Sequence, residues 1–203
     1  MKHVIRLALA AAAAAAMALP AAADCSKEVA DALAKQRTVS AMRQKTRMIT
    51  ERGPVDMTVD YLLPDRMHQT VKALVDPAAT ETILVGNRGW VSNGAGWQVL
   101  PLEQSSELAE EVRKAVIEEP KQMNRYECLG KVEVEGRSLT AYRAVQEKTG
   151  APATTVGTFY VDPVTGLPVR SVMSPPDKPE RVFFKQDVTY PQDLKIEPPA
   201  DAK

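Results

Sequence analysis

The chain is poor in the residues that most often do chemistry. Of its 203 residues only 2 are histidine and 2 are cysteine, aromatics make up 5%, and the formal net charge is +0. Balanced charge leaves no electrostatic footprint for nucleic acid. Two cysteines are too few for a Cys-rich zinc centre or a disulfide-dense scaffold. G-x-S-x-G, P-loop and G-x-G-x-x-G motifs are absent. No internal repeat and no long linker divides the chain, so its length suits one domain. The 15 prolines argue for turns and edges and against a helical bundle.

One long apolar run is present, at the N-terminus. Lys2, His3 and Arg6 form a basic start, residues 7–19 are uninterruptedly apolar, and Pro20 precedes Ala21-Ala22-Ala23. The run is shorter than the ~20 residues of a membrane span. It reads as a signal peptide over residues 1–23, cut before Asp24. Asp24 ahead of Cys25 does not fit a lipobox. Cleavage removes Lys2, Arg6 and His3. The mature chain is then slightly acidic, and His68 is its only histidine.

Export also governs the cysteines. Outside the cytoplasm, Cys25 and Cys128 are expected to form a structural disulfide, with two free thiols as the alternative. Closing a loop of this length stabilises by about 4–5 kcal/mol in the chain-entropy model. No C-x-x-C motif suggests a redox pair, and no clustered histidine suggests a metal site.

The mature chain opens with helical spacing. Ser26 can cap a helix over 27–36, with Val29, Ala30, Leu33 and Ala34 on one face. The pattern then changes to period two. Val55, Met57, Val59 and Tyr61 alternate with polar residues, which predicts a half-buried strand. Further strands are expected at 66–74, 81–85, 90–92 and 97–100, with glycine-rich turns at 86–89 and 93–96. A second helix is predicted over 105–119, capped by Ser105 or Ser106 and ended by Pro120. Leu108, Val112, Ala115 and Val116 share its apolar face. Strands resume at 131–135, 138–146, 154–162, 167–173 and 181–190, with a polar loop at 147–153 and a frayed tail at 198–203.

These elements predict an α+β, mainly β fold: one curved antiparallel sheet of roughly ten strands, a half-barrel with two or three helices over its concave side. The domain spans residues 24–197. Chemistry is hard to place on it. A catalytic histidine needs partners within reach, and His68 reads as a solvated strand residue. Arg43, Lys45 and Arg47 recur at period two and line one face. They read as a solvated outer face or as a rim for an anionic headgroup or acidic partner. Six methionines follow the leader; methionine suits either ordinary core or a cavity for variable chains.

Three stretches resemble a known family. Tyr61-Leu62-Leu63-Pro64-Asp65-Arg66-Met67 looks like a strand, proline turn and strand of the LolA-like lipoprotein carriers and their lipid-binding relatives. Ile83-Leu84-Val85-Gly86-Asn87-Arg88-Gly89-Trp90-Val91-Ser92 is similar to the hairpin that follows. Tyr160-Val161-Asp162-Pro163-Val164-Thr165-Gly166-Leu167-Pro168-Val169-Arg170 resembles the late hairpin. The resemblance covers most of residues 26–197. It implies an open half-barrel with a helical lid over an apolar cavity, and a periplasmic, non-enzymatic carrier or binding protein for lipid or lipoprotein acyl chains.

The alternating pattern and this resemblance together give an expected lining of Val55, Met57, Val59, Tyr61, Ile83, Val85, Trp90, Leu108, Val112 and Val116. Arg43, Lys45 and Arg47 are the candidate headgroup rim. No cofactor, metal or nucleic acid is expected, while envelope proteins and transient membrane contact are. An envelope sensor or assembly module with a filled core is the alternative function. A hydrolase built around His68 ranks below both.

Overall fold

The computed structural model describes residues 24–74, 76–120, 124–145 and 154–201. The expected leader, the loop at 147–153 and Met123 lie outside them. The chain runs α1 (Ser26–Gln36), β1 (Ala41–Thr50), β2 (Gly53–Leu62), β3 (Arg66–Ala73), β4 (Asp76–Val85), β5 (Arg88–Ser92), β6 (Trp97–Val99) and α2 (Leu102–Val116). It continues with β7 (Arg125–Val134), β8 (Arg137–Val145), β9 (Val156–Val161), β10 (Pro168–Ser174) and β11 (Phe184–Thr189). All eleven strands form one antiparallel sheet in the order β6-β5-β4-β3-β2-β1-β11-β10-β9-β8-β7. Its edges, β6 and β7, do not pair with each other, so the half-barrel stays open. Ten strands were expected, and the described residues hold eleven and two helices.

Hairpin follows hairpin because the connections are short, which forces antiparallel neighbours. Among the named strands the one long-range pairing is β1 against β11, which joins the first strand to the last at the centre of the sheet. The period-two prediction at 55–61 holds, since alternate residues of β2 face opposite sides. Strand β7 begins at Arg125, well before the expected 131, because its first half carries no alternation strong enough to announce it.

Both helices form where breakers are absent and charges suit the helix ends. Glu28 sits in the first turn of α1 and Lys35 in its last; Glu103 and the Arg113–Lys114 pair do the same for α2. The caps differ from expectation. The N-cap of α1 is Cys25, and the Asp24 carboxylate accepts the Ser26 N–H at 3.0 Å. The N-cap of α2 is Pro101, so the helix starts three residues early and Ser105 lies within its first turns. No helix of the described residues is long and apolar enough to cross a membrane.

Both helices pack on the concave face. Helix α2 lies over Met42, Tyr61, Met67 and Leu84 and inserts Val112 and Val116 among them. Helix α1 lies over the far side, with Val29 and Ala32 packed against Tyr142 and Val161. The third apolar cluster is on the convex face. There Ile83 and Trp90 meet Leu194 and Ile196 of the segment after β11, and Arg66 Nη1 donates to the Ile196 carbonyl at 2.8 Å.

Candidate functional site

Register decides which residues share a face. Met42, Tyr61, Met67 and Leu84 stand in one row across β1 to β4. The next rows on the same side are Gln44, Val59, Gln69 and Thr82, then Thr46, Met57, Val71 and Thr80, then Met48, Val55 and Ala73. Phe184, Gln186 and Val188 of β11 extend these rows beyond β1. The first row is buried beneath α2. Beyond it, Met48, Val55, Met57, Val71 and Phe184 remain half-buried, and Met173 is 37% exposed. The concave face is thus filled at one end and carries a half-exposed apolar strip at the other.

The expected lining divides along this parity. Val55, Met57, Val59 and Tyr61 face the concave side, where Leu108, Val112 and Val116 of α2 meet its filled end. Ile83, Val85 and Trp90 do not join them. Ile83 pairs with the outward-facing His68, and Trp90 pairs with Ile83, so this corner faces the convex side beneath Leu194 and Ile196. Within the run Ile83-Leu84-Val85 the inward residue is Leu84. Ala115, expected on the apolar face of α2, is exposed, while Ser105 is 1% exposed.

The two helices are anchored differently. Helix α1 is pinned by the Cys25–Cys128 disulfide, whose Cα atoms are 5.5 Å apart. Cys25 N–H donates to the Tyr126 carbonyl at 2.8 Å, and Tyr126 N–H donates to Ser26 Oγ at 2.9 Å. Tyr142 Oη donates to Glu28 at 2.8 Å, and Gln36 Nε2 donates to Tyr190 Oη at 3.0 Å. Burial, aided by the Glu28 carboxylate, pushes the Tyr142 phenol up to about 12; burial does the same for Tyr190, against the Gln36 hydrogen bond. Helix α2 is tied to the sheet through Ser105, whose Oγ accepts the Gly89 N–H at 3.1 Å. A Cβ at Gly89 would meet Leu100 Cδ1 at 2.9 Å and Ser105 Oγ at 3.1 Å, so a side chain there would push on both. Among the described residues no other hydrogen bond ties α2 to the sheet, and Val112 and Val116 pack on it through apolar contact.

Among the described residues, recesses border α2 on two sides. A cleft of about 500 Å³ lies between it and the turns around Pro64 and Gly86, with Leu84 and Val112 in its wall. A gap of about 130 Å³ separates the helices above Met42 and Gln44, flanked by Arg37 and Lys114.

The convex face is charged. Arg43 binds Asp60 through two hydrogen bonds, at 2.6 and 2.8 Å, and this partner holds the guanidinium pKa above its ordinary value. Lys45 is exposed, and Arg47 stands 3.8 Å from Asp56. The expected rim therefore lies on the side of the sheet opposite the apolar strip. His68 Nε2 is 2.9 Å from Glu81 on the same outer face. Cys25, Glu28 and Cys128 lie close together, but the two sulfurs are joined to each other, which leaves Glu28 alone as a ligand.

The sequence matches no family model and no curated protein. The fold has relatives among solved structures. LprF from Mycobacterium bovis superposes with TM-score 0.55 at 11% identity, covering 86% of this chain and 96% of that one. The Mycobacterium tuberculosis lipoprotein LppX gives TM-score 0.56 at 14% identity, covering 85% of this chain and 97% of that one. MucB in complex with MucA(peri) gives TM-score 0.50 at 13% identity, with 86% of this chain over 59% of that one. At such identities the likeness is one of fold.

Proposed function

We propose that this chain is a non-enzymatic, exported carrier or binding protein for acyl chains, which lie on the concave face against α2 in the periplasm. The observation that carries the reading is the half-exposed strip of Met48, Val55, Met57 and Val71, continuous with the buried row beneath α2. Covering it with an acyl chain gains about 0.8 kcal/mol per buried methylene. The methionines adapt to chains of different shape. The fold shared with LprF and the lipoprotein LppX supports the reading. Titration of delipidated protein with a fluorescent fatty acid tests it. Saturable binding, weakened at least tenfold by Met57→Asp, is expected from the cost of placing a charge on an apolar wall. Absence of saturable binding, or indifference to Met57→Asp, contradicts it.

A second reading is an envelope interaction module. It draws on the filled half of the concave face beneath α2 and on the fold shared with MucB, which is solved in complex with MucA(peri). The exposed cations Lys45 and Arg47 of the convex face would then meet an acidic partner or membrane surface. Salt-sensitive binding to anionic vesicles, abolished by Lys45→Glu with Arg47→Glu, supports this surface role. Binding unchanged by the double substitution counts against it.

A further inference from the structure

The concave floor is not uniformly apolar. Two amides, Gln44 and Gln69, flank Val59 in one row across β1, β2 and β3, and Gln186 stands beside them on β11. They rise from a dry surface, since Val59 and Thr46 are each 3% exposed. The hydrogen bonds these amides make are unequal. Gln186 Nε2 donates to Gln44 Oε1 at 3.4 Å and to Thr46 Oγ1 at 3.2 Å, so its own donors meet oxygen. Gln69 Nε2 faces Met57 Sδ at 3.0 Å, and Gln44 Nε2 faces Met42 Sδ at 3.8 Å. A thioether sulfur is a weak acceptor. Two amide groups therefore point their N–H bonds at poor partners, at the boundary between the row buried under α2 and the half-exposed strip.

A ligand oxygen would be a better acceptor than either sulfur. A plain hydrocarbon offers none, and the row itself carries no cation for an anionic headgroup, although Arg37 and Lys114 flank the gap above Gln44. A carbonyl at the root of an acyl chain is neutral, accepts well, and can reach the amides while its chain lies on Met57, Val55 and Met48. We propose that Gln44 and Gln69 select ligands whose chains are attached through ester carbonyls, that is, acyl glycerolipids. This inference deepens the acyl-binding reading and rests on it.

The test compares dioctanoylglycerol with its dioctyl ether, which differ only in their two carbonyls, as competitors of a bound fluorescent fatty acid. Wild-type protein is expected to prefer the ester about fivefold to tenfold, the effect of one or two net hydrogen bonds. Gln69→Met and Gln44→Met keep side-chain bulk and remove the donors. Each should lower the ester-to-ether ratio, and the double variant should bring it to one. Displacement of the probe by the ether also reports that each variant is folded. Equal affinity of wild type for ester and ether overturns the amide selection and leaves the acyl site standing. So does a ratio that survives the double variant. Failure of the fatty acid and both glycerolipids to bind overturns the acyl reading itself, and this inference with it.

Discussion

The two helices lie on one face of one sheet and are held there in opposite ways. Helix α1 is fixed by a disulfide, by hydrogen bonds to Tyr126, Tyr142 and Tyr190, and by Lys35 Nζ donating to the Thr165 carbonyl at 2.6 Å. Helix α2 depends on apolar contact and on Ser105 against Gly89. Covalent and hydrogen-bonded contacts have one geometry, whereas apolar contact is non-directional and can be remade against another apolar surface. The difference makes α1 a wall and, under the proposed function, α2 the element that an entering acyl chain would displace.

Breaking the wall gives the largest effect. Cys25→Ala with Cys128→Ala should cost about 4–5 kcal/mol, the entropy of a loop of this length, read as a lowered denaturant midpoint. A loss below about 1 kcal/mol would mean that the hydrogen bonds alone hold α1.

Matched truncations sharpen the contrast. Val29 is 0% exposed in α1 and Val112 is buried in α2. Replacing either by alanine should cost about 2 kcal/mol. Only Val112→Ala should also change fatty-acid affinity, because only α2 bounds the strip. A smaller loss is expected for Ser105→Ala, which strands the buried Gly89 N–H at a cost of about 1–2 kcal/mol. Hydrogen exchange should then quicken in α2 and stay unchanged in α1.

The mildest probe is alkaline pH. Tyr142 and Tyr190 both touch α1, and each phenol is pushed up to about 12. A raised folded-state value stabilises the fold below the ordinary tyrosine range, near 10, and the contribution is lost as pH rises through about 12. Alkaline loosening followed by circular dichroism should therefore begin in that window. Tyr142→Phe, which cannot ionise, should shift the midpoint upward.

The sequence made the helices, the hairpins and the faces of individual strands legible, because period and turn residues are local signals. Arg43, Lys45 and Arg47 alternate with Met42, Gln44, Thr46 and Met48, and that strand is split as its alternation requires. Parity did not carry from strand to strand. Ile83, Leu84 and Val85 are all apolar, so nothing local says which one faces the concave side. A continuous apolar run is the mark of a strand covered on both faces. Here the second cover is Leu194 and Ile196, spaced two apart beyond Pro191. Ser105 was readable as a cap but not as an anchor, since its partner Gly89 lies in another hairpin. Gln44 and Gln69 carry no local sign of a ligand contact, since an amide among polar neighbours reads as ordinary strand surface.

The most direct measurement is photo-crosslinking with a fatty acid that carries a diazirine at its chain end, mapped by mass spectrometry of the protein fragments. Adducts should concentrate on Met48, Val55, Met57 and Val71 of the concave strip and on the inner face of α2. Adducts concentrated on Ile83, Trp90 and Ile196 of the convex corner, or spread evenly over both faces, would contradict an acyl site on the concave side.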